Sequence, residues 1–88
     1  MTAARYAEIL RAEMPGWTVT PHPTERGVLQ LVAPDGAEGM VRPSTCAVGT
    51  VDAHGIAWWS WGRPEWCGAN GARAFAASLR EEHPVVAP

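Results

Sequence analysis

The chain has no lysine. All seven basic residues are arginine, set against nine Asp and Glu, and the net charge at neutral pH is −2. Such a chain presents no broad positive field to a phosphate backbone, so nucleic acid ranks behind protein as an expected partner. With the abundant Ala and Gly, the all-arginine basic set fits a GC-rich coding genome, bacterial or phage. Cysteine is scarce as well. Cys46 and Cys67 are too few for a disulfide scaffold, and free thiols in a cytoplasmic setting are the expectation. Long apolar runs are missing. Arg5, Glu8, Arg11 and Glu13 interrupt the N-terminal "MTAARYAEILRAEM", which speaks against a leader sequence. No run approaches the ~18 apolar residues of a membrane span.

What is present is tryptophan. Four of the five lie within "IAWWSWGRPEW", residues 56 to 66. These rings are either a core or a platform that grips a partner. Hydrophobic residues make up 47% of the chain and charged residues 18%, a globular balance, although alanine supplies much of the apolar share. Eighty-eight residues make one domain. A chain this short buries roughly 60–65% of the surface it exposes when unfolded, so its core is thin. The domain is expected over 1–83, with 84–88 as a frayed tail.

Periodicity supplies the elements. Thr2 can cap a helix reaching about Met14, with Tyr6, Ile9, Leu10 and Met14 on one apolar stripe. Pro15-Gly16 ends it. "WTVT" alternates as a short strand, and Pro21 and Pro23 confine it to an edge or end it there. "VLQLVAPDGAEGMV" reads as a hairpin around Pro34-Asp35-Gly36, a type I turn followed by a left-handed glycine. "CAVGTVDAHGIAWWSW" repeats the device, with Ala53, His54 and Gly55 in the turn. Pro43-Ser44 links the two hairpins. "GRPEWCGA" is a loop, and Asn70 caps a second helix over about Gly71 to Glu82, with Ala72, Phe75, Ala76 and Leu79 inward. The predicted class is α+β: an antiparallel sheet of four to five strands, two hairpins in series, with both helices on one face.

The hairpin registers then sort the faces. In the first, Leu31 opposes Gly39 and Leu29 opposes Val41 on the inner side, which leaves Gln30, Met40, Val28 and Arg42 outside. In the second, the turn sets Asp52 against Ile56, Val51 against Ala57, Gly49 against Trp59 and Ala47 against Trp61. That apolar face, each ring meeting a small residue, is expected to be core. Trp17 and Val19 join it, and Trp66 plugs one end. Trp58 is then left on the open face with Gln30, Met40, Arg42 and Thr50, a composition that resembles a protein interface.

Signs of chemistry are few. His22, His54, His83, Cys46 and Cys67 show no metal-ligand pair spacing, so no metal or cofactor is expected. No nucleophile elbow or phosphate loop is present, and Glu8, Glu13, Glu81 and Glu82 read as solvated helix faces. No catalytic residue is assigned, and the chain is not expected to be an enzyme. "GANGAR" opens the second helix but lacks the lysine and spacing of a phosphate loop. The helix–strands–helix order and "NGARAFAASL" resemble the double-stranded RNA-binding domain. That family sets a lysine cluster where only Arg73 stands here, and the extra strands do not fit it. The expected function is a non-catalytic protein-interaction module of accessory, immunity or phage-type regulatory kind. It would use the face around Trp58 toward a protein partner or a second copy. A nucleic-acid-binding regulator using its arginines is the alternative, and no membrane partner is expected.

Overall fold

The computed structural model describes residues 1–52, 54, 57–60 and 62–83, with the side chains of Ala57 and Trp58 outside that description. Helix α1 spans Ala3–Glu13. Thr2 caps it as the sequence suggests, its hydroxyl accepting from the Arg5 N–H at 3.2 Å. The cap satisfies one of the backbone donors that every helix start leaves over. The apolar stripe of α1 buries Tyr6, Ala7, Ile9 and Leu10. The strands follow as β1 (Thr18–Pro21), β2 (Leu29–Val32), β3 (Glu38–Arg42), β4 (Ala47–Val51) and β5 (Ala57–Ser60). They form one antiparallel sheet in chain order, so β1 and β5 are its edges. A 3₁₀ turn at Pro64–Trp66 leads into α2, Gly68–Glu82.

Local chemistry explains the turns. Between β2 and β3, the Asp35 carboxylate accepts from the Ala37 N–H at 2.9 Å, and Gly36 takes φ +91°, which a side chain would resist. The turn after β4 repeats the carboxylate device: Asp52 accepts from the His54 N–H at 2.9 Å. Ala53, Gly55, Ile56 and Trp61, which carry parts of the second-hairpin reading, lie outside the described residues. Between β3 and β4, residues 43–46 form a tight turn in which the Cys46 N–H donates to the Arg42 carbonyl at 2.8 Å. Cys46 itself has φ +60°, uncommon for a residue with a side chain. At the sheet's first edge, Arg11 donates from Nε and Nη2 to the Val19 carbonyl at 3.0 and 2.8 Å.

Both hairpins pair as their turns predict: Leu31 with Gly39, Leu29 with Val41, Gly49 with Trp59 and Val51 with Ala57. The face of the second hairpin is reversed. The 43–46 turn pairs Met40 with Gly49 and Val41 with Val48. One rung therefore runs Thr20, Gln30, Met40, Gly49, Trp59, and the next runs Val19, Leu31, Gly39, Thr50, position 58. Paired residues share a face. The buried cluster joins Val19, Leu29, Leu31 and Val41 to Tyr6, Leu10, Met14, Phe75 and Ala76, so the Leu31 rung faces the helices. Trp59 is on the other side, 44% exposed, and is not core. Trp17 and Trp66 do pack against the cluster, half-buried, and Val19 is within it.

Two further expectations change. Helix α2 begins at Gly68, one turn before the expected start, and Cys67 holds the cap position without a side-chain cap bond. Asn70 lies inside the helix and accepts from Arg73 Nη1 at 3.1 Å. The second change involves Cys67 itself. It is joined to Cys46 in a disulfide with Cα atoms 5.5 Å apart, so the thiols are not free. The cytoplasmic expectation rested on free thiols, and the disulfide removes that ground. Among the described residues no helix is long and apolar enough to cross a membrane.

The disulfide closes a loop with a sequence separation of 21, which contains β4, β5 and the 3₁₀ turn. A loop of that size corresponds to about 3 kcal/mol of stabilisation through the unfolded chain. Replacing both Cys46 and Cys67 by Ser should cost about that much in urea denaturation. A loss below about 1 kcal/mol would mean that the hairpin holds its place without the tie.

Tyr6, the only tyrosine, is fully buried and donates to the Trp66 carbonyl at 2.9 Å. Burial pushes its pKa from 10.0 up to about 12. The unfolded chain ionises first, so this contribution is complete below pH 10 and is lost as the pH rises toward 12. Across that window stability should fall by about 2–3 kcal/mol. Phenolate absorbance reads the single group directly, and Tyr6→Phe should remove this part of the slope.

Candidate functional site

The outer face of the sheet carries three of the five residues expected to bind a partner. Gln30 and Met40 sit in one rung, and Arg42 follows two residues along β3. Gly49 contributes no side chain between Met40 and Trp59, so the indole can reach across β4 toward β3. Arg42 confirms that reach, with its guanidinium carbon 5.5 Å from the Trp59 ring centre. This is a cation–π contact, and it leaves the indole partly open to solvent. Met40 is only 4% exposed even though it lies on the face turned away from the helices. The loop 22–28 borders the same face. Its Glu25 carboxylate lies 3.7 Å from Arg42 Nη2. His22 organises the loop: its Nδ1 accepts from the Thr24 and Glu25 N–H groups at 3.2 and 3.0 Å. That assignment leaves the ring proton on Nε2.

Thr50 does not belong to this patch. It shares the helix-side rung with Leu31, Gly39 and position 58. The Trp58 side chain, the centre of the expected site, lies outside the described residues. Trp59 takes its place as the exposed ring. The length of the 43–46 turn decides this, because it sets the β3–β4 register and so the face of Trp59, and no residue type in the turn signals it.

On the helix side, the far half of the sheet stands off from α2. A groove of about 300 Å³ lies between them, lined by Trp17, Leu31, Val48, Trp66, Phe75 and Leu79 among others. Gly39 lies in its floor and contributes no side chain there. The N-terminus of α2 is held by the disulfide. Its C-terminal end is held by His83, whose Nδ1 lies 2.8 Å from the Asp35 carboxylate. The His83 ring also meets Trp17 edge-on at 5.6 Å. At the other end, Trp66 packs on Phe75 at 4.8 Å, with the Arg63 guanidinium 4.9 Å from the Trp66 ring.

Among the described residues no three His, Cys, Asp or Glu side chains gather as a metal site would require. The two cysteines are consumed by their own bond. Most of the arginines are also engaged. Arg5 pairs with Glu8, Arg42 with Glu25, Arg73 and Arg80 with Glu13, and Arg11 with the Val19 carbonyl. A scan against protein-family models matches none, and searches of curated proteins and of solved structures find no significant similarity.

The His83 hydrogen bond, followed by the Ala37 N–H, holds the Asp35 carboxyl below its ordinary value. A depressed carboxyl contributes stability above its ordinary range and loses it as the pH falls through the folded value. His83→Ala should therefore move the Asp35 titration upward, part of the way to the ordinary value, because the Ala37 N–H remains. A carboxyl-carbon NMR titration reads this. An unmoved Asp35 would mean that His83 does not hold the end of α2.

Proposed function

We propose that the domain is a non-catalytic protein-interaction module that pairs with a second copy of itself through β5, with Trp59 at the centre of the contact. The exposure of Trp59 carries this reading. A large ring that is 44% exposed on a sheet, with an arginine against it, has the character of an interface anchor. The two sheet edges differ in a way that supports it. Pro21 and the Arg11 clamp on the Val19 carbonyl occupy β1. Strand β5 carries neither proline nor such a clamp among the described residues. Unblocked edges are where strands add.

A two-fold axis through the sheet keeps the helices of both copies on one side. Strand parity allows a register that sets Trp59 opposite the same ring of the second copy. The alternative, a nucleic-acid regulator, needs free arginines, and most of them are bound within the domain.

Light scattering after gel filtration should give twice the chain's 9.4 kDa. Trp59→Glu sets like charges face to face across the axis and should return a monomer. Trp59→Ala should weaken association at least tenfold while costing only about 1 kcal/mol of folding stability, in keeping with a half-open side chain. A native chain that stays monomeric at high micromolar concentration would rule out self-pairing.

A further inference from the structure

We infer that the groove between α2 and the far half of the sheet is a binding site for a small, uncharged aromatic molecule. Trp59 and Ser60 of β5 also border it, and the inference does not rest on self-pairing. Its volume is about 300 Å³. A cavity of ~150 Å³ already accepts a benzene ring, so the groove has room for a substituted ring or two fused rings.

The lining sets the chemistry. Trp17, Trp66 and Phe75 supply aromatic surface, and Leu31, Val48 and Leu79 supply aliphatic surface. Trp17, Val48, Trp66 and Leu79 are only half-buried, although each packs against the core. An unfilled apolar groove leaves such side chains without contacts on one side, and a chain this short has little core to spare. Gly39 keeps the floor low where it lines the groove, between the Leu31 and Thr50 positions. A flat molecule fits between such a floor and a helix.

Charge is excluded by the same inventory. No buried polar or charged residue stands among the described ones. The carboxylates that border the groove, Glu38 and Glu82, are solvent-exposed. An anion would be repelled at the mouth. A cation would lose its hydration inside without finding a buried partner. Polar groups in the lining, Thr50 and Ser78 among them, are suited to one neutral hydrogen bond from a ring substituent.

Trp17 provides the reporter. Its indole Nε1–H is buried and has no hydrogen-bond partner among the described residues. A ring entering the groove shifts that proton by its ring current. The five indole N–H signals of the 88-residue chain are recorded by proton–nitrogen NMR, and Trp17 is identified by its absence in Trp17→Phe. Toluene should move the Trp17 signal saturably at millimolar concentration. Benzoate and benzylammonium, of similar size but charged, should bind at least about tenfold more weakly.

Leu79→Trp fills the groove from α2 and should abolish the shift while thermal unfolding stays cooperative. Thr50→Leu fills it from the sheet if the first variant does not fold. The inference is overturned if toluene gives no saturable shift, or if the charged rings move Trp17 as far as toluene does. It is also overturned if toluene acts only on the Val85→Ser, Val86→Ser variant, which would assign the groove to the chain's own residues 84–88.

Discussion

The turn at residues 43–46 is the constraint on which the arrangement depends. It joins β3 to β4 and sets Arg42 against Ala47, from which every rung across the far half of the sheet follows. The turn is built from a backbone bond at 2.8 Å and a left-handed Cys46, whose sulfur is bonded to Cys67. A slip of one residue there would exchange the faces of both following strands. Trp59 would then lie under the helices and Thr50 would lie outside.

The buried cluster is off-centre. Its sheet members come from β1, β2 and β3. Val48 joins from β4 at the margin, and no described residue of β5 belongs to it. Among the described residues, the hairpin of β4 and β5 contributes least to the buried cluster, and it is the part enclosed by the disulfide. A covalent tie substitutes for core where a chain is too short to supply one. Both surfaces discussed above, the exposed indole and the groove, belong to this half. The well-packed half serves as the rigid base that holds them.

Much of this was legible in the sequence. The cap at Thr2, the apolar stripe of α1, the turn at Asp35-Gly36 and the pairings within each hairpin are local, and local chemistry is written in neighbouring residues. The outer placement of Gln30, Met40 and Arg42 followed from one hairpin alone. The error lay in joining two correct hairpins. Gly49 opposite Trp59 reads as small against large in a core, and it reads equally well as a gap that lets an indole lie across an open face. Only the inter-hairpin register separates those readings, and no residue between 43 and 46 announces it. The disulfide was hidden for a related reason. Cys46 and Cys67 are brought together by the passage of the chain from β5 back to the helix layer, a non-local event. The groove is a space between two elements distant in the chain, and sequence patterns describe local contacts.

The Arg11 clamp on Val19 has a consequence for the size of any assembly. A sheet with two open edges can accept a neighbour at each, and repetition then yields a fibre. With one edge closed by a guanidinium from its own first helix, the sheet can grow in one direction only. An isologous contact at the remaining edge uses up that edge in both molecules. On the proposed pairing through β5, growth by strand addition would terminate at a closed pair. On that reading, a single hydrogen-bonding side chain on α1 would limit the size of the assembly.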